Sequence, residues 1–159
     1  MPAPFPAPFA EFEGAVRPEW IDSNDHLNLA YYLVLFDLAT DAIYAALGMG
    51  PGYKAATGCG TFAVETHIIY AAELRLGERV RVVSHVLGAD AKRLHLAHDM
   101  LHLDGRRAAA QELMFLHIDL AIRRVTPWPA PIQARMADAV AAHAPIRPDW
   151  VGRRLAMPG

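Results

Sequence analysis

The stretch that decides the fold is Asn28-Leu29-Ala30-Tyr31-Tyr32-Leu33-Val34-Leu35-Phe36-Asp37-Leu38-Ala39-Thr40-Asp41-Ala42-Ile43-Tyr44-Ala45-Ala46-Leu47, which Gly48 ends. It contains no Pro or Gly. Asn28 is a capping residue ahead of an apolar run and Gly48 a stop, so the stretch predicts one helix of about 30 Å at ~1.5 Å per residue. Its polar positions, Asp37, Thr40 and Asp41, fall on one narrow stripe by three-and-four spacing. A helix this apolar on its other faces has to be wrapped.

Strand-like stretches lie on either side. Thr61 to Tyr70 alternates, with Phe62, Val64, Thr66, Ile68 and Tyr70 on one face and Ala63, Glu65, His67 and Ile69 on the other. Arg79 to Leu87, Leu94 to Leu103 and Ala108 to Leu120 follow, the last two joined by Asp104-Gly105, a hairpin signal. Phe9 to Val16 reads as an earlier strand. Pro127, Pro129 and Pro131 end the sheet region before a short helix near Ile132 to His143. The class is α+β, a long helix covered by an antiparallel sheet, and 1–159 reads as a single domain. Residues 1–8 form an extended N-terminal arm, and 127–159 a tail carrying the short helix.

Composition removes several function classes. Fifteen Lys and Arg against seventeen Asp and Glu leave a formal charge of −2, so no field draws the protein to nucleic acid or an anionic membrane. Hydrophobic residues reach 53%, which predicts extra apolar surface hidden in a core or subunit contact, and an oligomer is expected. One cysteine, Cys59, provides neither an internal disulfide nor a metal knuckle, and a reducing compartment is expected. No apolar run is expected to approach the ~18 residues of a membrane span, so a cytoplasmic location is expected. His95, His98 and His102 invite a metal reading. In a strand, however, the odd separation sends His95 to the face opposite His98 and His102, and no metal or cofactor is expected.

The densest polar cluster, Asp22-Ser23-Asn24-Asp25-His26-Leu27-Asn28, stands directly before the apolar helix. A helix start offers unpaired N–H groups and partial positive charge, suited to a developing oxyanion, and a nearby carboxylate can attack a carbonyl or activate water. The same residues also serve as turn and cap residues, and spacing alone leaves both uses open.

This cluster resembles the signature Asp-x-x-Gly-His-x-Asn, followed by an aromatic-rich helix, of hotdog-fold acyl-CoA thioesterases of the 4-hydroxybenzoyl-CoA thioesterase-like type. The resemblance implies a hotdog fold, an acyl-CoA substrate and a site between subunits of a homodimer or homotetramer. It puts Asp22 in the place of the catalytic carboxylate, His26 and Asn28 in those of the His and Asn, and Tyr31 and Tyr32 at the aromatic opening of the helix. The family's Gly is Asp25 here. Asp tolerates the left-handed backbone such a position uses, and it brings an extra negative charge beside the oxyanion site, which would either slow the reaction or suit a cationic acyl group. A rival signature, Asp-x-Asn-Pro-x-His of hotdog enoyl-CoA hydratases and dehydratases, is matched by Asp22-Ser23-Asn24 only, since Asp25 replaces Pro and His26 comes one residue early. A non-catalytic acyl-CoA binder is the third reading.

Further candidates follow from the same resemblance. Glu65 is placed to orient the attacking water and His67 to contact substrate, if their strand face points inward. Asp37 and Asp41 rank below Asp22, because some hotdog thioesterases carry the carboxylate on the central helix. Lys92 and Arg93, and also Arg123-Arg124, are suited to CoA phosphates. The runs Glu65 to Tyr70 and Gly88 to His95 are similar to thioesterases of carnitine breakdown that release betaine from betainyl-CoA. Trp20, Tyr31, Tyr32 or Phe36 would offer aromatic faces to its trimethylammonium group, with Asp25 or Glu65 as counter-charges.

Overall fold

The computed structural model describes residues 3–159. The chain runs β1 (Phe9–Ala15), α1 (Leu29–Ala46), α2 (Tyr53–Thr57), β2 (Cys59–Tyr70), β3 (Arg79–Ala89), β4 (Arg93–His102), β5 (Arg107–Asp119), β6 (Arg124–Val125) and α3 (Ala130–His143). The antiparallel sheet has the order β1-β3-β4-β5-β2, with β6 added to β5. This is the hotdog arrangement, a sheet curled over one long helix. The short α2 and β6 escaped the sequence reading, since five- and two-residue elements carry no periodic signal of their own.

α1 begins where Asn28 Oδ1 accepts the Ala30 N–H at 3.0 Å. Its buried stripe is Tyr32, Leu35, Phe36, Ala39, Thr40 and Ile43, the three-and-four spacing of an amphipathic helix. The stripe packs on Val80, Val82 and Met100 toward its start and on Val86, Leu94 and Leu96 toward its end. Thr40 therefore leaves the expected polar stripe. Its hydroxyl is buried, donating to the Phe36 carbonyl and lying 3.0 Å from His98 Nε2. Wrapping is also one-sided, for Leu29, Leu33, Val34 and Leu38 remain exposed. The expectation about membrane spans needs correction too: Leu29–Ala46 has 18 residues and mean hydropathy 1.3, long and apolar enough by length and composition to cross a membrane. One third of it is buried, on the sheet.

Phe5 of the N-terminal arm packs with Phe9, Trp128, Ile132 and Met136 over the end of α1, while residues 1–2 of that arm lie outside the described residues. β2 carries a bulge, because Ala63 and Glu65 oppose the consecutive residues Phe115 and Met114, so Val64 has no partner on β5. Beyond it, Thr66, Ile68 and Tyr70 share the helix-facing side with Leu113, Gln111 and Ala109. Ahead of it the faces exchange, correcting the single alternation: Ala63 faces inward with Phe115, and Phe62 outward beneath the Arg123 guanidinium.

Candidate active site

The polar loop before α1 is held from both ends. Ile21 bridges to Leu27, the Asp22 N–H donates to the His26 carbonyl at 3.1 Å, and the Leu27 and Asn28 amides donate to Leu74 and Trp20. Asp22 Oδ1 accepts the Asn24 N–H at 2.8 Å, leaving Oδ2 without a protein partner among the described residues. Asp25 closes the turn at φ +61°, a left-handed residue where the resembled signature has Gly. The backbone that the signature requires thus survives the change.

A cleft of about 370 Å³ opens beside this loop, lined by Asp22, Asn24, His26, Leu27, Leu29, Tyr32, Tyr70, Ala71, Ala72 and Glu73. Its floor is rigid, since the Tyr32 hydroxyl donates to the Ala72 carbonyl at 3.1 Å and Tyr70 meets the Tyr32 ring edge-on at 5.2 Å. Asn28 takes the Ala30 amide with its side chain and the Tyr31 amide with its carbonyl. Of the first three α1 amides, that leaves Leu29's unpaired among the described residues, on the wall that Asp22 shares. A carboxylate and a free helix-start N–H on one cleft are the parts that acyl transfer needs, a base or nucleophile and an oxyanion donor.

Other expected site residues divide. His26 lines the cleft and donates Nδ1–H to the Leu27 carbonyl at 3.1 Å. Asn28 acts as the cap, so its side chain is committed to structure. Asp25 and Tyr31 do not line the cleft; Tyr31 stacks on Trp20 at 5.5 Å, and Arg17 lies 5.0 Å from the same indole. Phe36 is fully buried against His98. Neither Trp20 nor Phe36 therefore has a face left for a cationic ligand.

The inward placement considered for Glu65 and His67 is overturned within the protomer. Both lie on the outer face of the sheet, in a separate cleft with His95, Glu112, Arg153 and Arg154. There Glu112 bonds His95 Nε2 and the Gly152 N–H, each at 2.7 Å, and pins the C-terminal tail. Pairing with β5 sets this side, since Glu65 opposes Met114 and His67 opposes Glu112. Lys92 and Arg93 stand at the opposite end of the sheet from their own Asp22: Arg93 and Phe62 both oppose Leu116, whereas Tyr70 opposes Ala109. The Arg93 guanidinium is paired with Asp90 at 2.6 Å. As the alternation predicted, His95 faces outward while His98 and His102 face inward.

Sequence reasoning missed Tyr70 and Glu73. Tyr70 was legible only as the last β2 residue; its hydroxyl donates to the Leu29 carbonyl at 3.3 Å, joining that strand end to the start of α1. A larger cavity, about 620 Å³, lies at the other end of α1 between Asp41, Tyr44, Tyr53 and the first residues of β2.

A family model, the thioesterase-like superfamily, matches residues 16–136. A betainyl-CoA thioesterase of Pseudomonas aeruginosa is 38% identical over 149 residues, 92% of this chain and 94% of that protein. An L-carnitine dehydrogenase/betainyl-CoA thioesterase of Agrobacterium fabrum is 35% identical over 145 residues; the match takes 91% of this chain and 30% of that longer protein. A Staphylococcus aureus protein solved in complex with CoA superposes with a TM-score of 0.87 at 26% identity, covering 95% of this chain and 97% of its own.

Proposed function

The chain belongs to the thioesterase-like superfamily, and we propose that the acyl-CoA thioester it hydrolyses is betainyl-CoA, with Asp22 as the group that attacks the carbonyl or activates water. The observation that carries this is the one cleft at the start of α1 that Asp22 and Leu29 both line, with Asp22 Oδ2 and the Leu29 N–H unpaired among the described residues. In the water route, Asp22 takes a proton from water as its oxygen adds to the thioester carbon. The oxyanion is held by helix-start amides, and the C–S bond then breaks, with CoA leaving as thiolate to be protonated. Betaine and CoA are the products.

The proposed assembly is a two-fold dimer through β2. That strand bonds β5 on one side, and its other edge is unpaired among the described residues. Val64 on β2 and Leu29 on α1, 55% and 65% exposed, leave apolar surface open in the single chain. A twelve-residue open edge beside such a surface invites a second copy. Sedimentation should return a dimer or a multiple of one.

Thiol release from betainyl-CoA by the purified protein, set against acetyl-, benzoyl- and long-chain acyl-CoA, tests the substrate. Preference for long chains would reject betaine, and binding of CoA esters without thiol release would reject the enzyme.

A further inference from the structure

We propose that the partner's Asp41, backed by Tyr44, receives the cationic end of the acyl group in the site that Asp22 serves, and so selects for a quaternary ammonium. This deepens the reading above and rests on it. The topology carries the first step. α1 runs antiparallel to β2: the end of β2, at Tyr70, touches the start of α1, while the 620 Å³ cavity joins the end of α1 to Cys59, Gly60 and Thr61 at the start of β2. A two-fold axis pairing the β2 edges antiparallel sets the end of one strand beside the beginning of the other. Each Asp22 cleft, bordered by Tyr70 and Ala71, then faces the partner's cavity, bordered by Gly60 and Thr61.

The cavity has the chemistry to hold a cation. Asp41 lines it with Tyr44 and Tyr53, and Ala42 and Ala45 bring in the last turns of α1, the negative end of the helix dipole. Asp37 and Asp41, one turn apart on the exposed face, form a like-charge pair with no ion-pair partner among the described residues. Partial burial, and then the Asp37 charge, hold the Asp41 carboxyl above its ordinary range, a strain that a bound cation relieves. Lys54 lines the same cavity with an exposed side chain and makes no ion pair with Asp41. Tyr44 Oη is buried at the cavity wall beside the Thr61 hydroxyl. On the catalytic side the one other carboxylate, Glu73, is already matched by Arg75 at 2.7 Å. In betainyl-CoA the ammonium nitrogen is two bonds from the carbonyl carbon, so its receptor must adjoin the Asp22 cleft, as the apposed cavity does.

The test compares betainyl-CoA with 3,3-dimethylbutanoyl-CoA, the same shape with a neutral carbon in place of nitrogen. Wild type should favour the cation, and Asp41→Asn should lower the ratio of the two kcat/KM values by about tenfold or more. Co-expressed Asp22→Asn and Asp41→Asn protomers should form mixed dimers with one intact site and outperform either parent on betainyl-CoA. An unchanged ratio in Asp41→Asn, or no complementation, overturns this inference while leaving betainyl-CoA hydrolysis standing. A wild type that spares betainyl-CoA overturns both.

Discussion

His98 Nε2 lies 3.0 Å from Thr40 Oγ1, joining the middle of β4 to the middle of α1. Thr40 spends its one hydroxyl proton on the Phe36 carbonyl, so His98 must donate through Nε2, while Ser84 Oγ lies 2.7 Å from its Nδ1. Complete burial holds the His98 pKa down to about 3, so at pH 7 the ring is neutral and its bare Nδ1 accepts from Ser84. His85, nearby, is lowered to about 4 by burial and by His143, and His143 is itself lowered by burial.

The pH dependence follows from these directions. Below the ordinary histidine value, near 6.5, the unfolded chain takes up protons that the folded chain refuses. Stability is thus fully present above ~6.5 and falls as the pH drops toward the folded values, by about 1.4 kcal/mol per pH unit for His98 alone. Urea titrations at pH 7, 6 and 5 should show this fall. His98→Gln should be less stable at pH 7 yet shallower in pH by about one proton, and an unchanged slope would reject the assignment.

Asp22→Asn should fold normally, because an amide Oδ1 still accepts the Asn24 N–H. It should lose roughly 10²–10³ in kcat, the scale of a missing base or nucleophile. Wild-type turnover in this variant would remove Asp22 from the mechanism.

Asp25, at φ +61°, separates backbone from charge. Asp25→Ala should destabilise the protein by about 1 kcal/mol, while Asp25→Gly, relaxed at positive φ, should stay within about 0.5 kcal/mol of wild type. Equal stability of the two in guanidinium melts would contradict the strain.

Trp150 anchors the tail on the outer sheet face, its Nε1 donating to Asp99 Oδ1 and Oδ2 at 3.1 and 3.2 Å above Ala97 and Ala110. Arg107 balances the Asp99 charge. Trp150→Ala should cost about 3 kcal/mol in a urea melt. Turnover should be nearly unchanged, since Trp150 does not line the Asp22 cleft; a large loss of kcat would show that the outer face takes part in the reaction.

By itself the sequence determined the elements whose signals are local. Asn28, the breaker-free apolar run and Gly48 delimit α1 because capping and backbone freedom act within one turn. The Asp22 to Asn28 cluster was legible for the same reason, with its side-chain and backbone roles packed into seven residues. Tertiary structure alone decided which faces those elements show. The Val64 bulge, which exchanges the faces of Phe62 and Ala63, is fixed by β5 opposite and leaves no mark in the alternation of β2. Tyr70 reaches the start of α1 across 41 positions of chain. Thr40 looked like a surface partner of Asp37 and Asp41 until β4 brought His98 to it. Local propensity does not encode a contact between distant segments; that contact exists only once the sheet has closed over the helix.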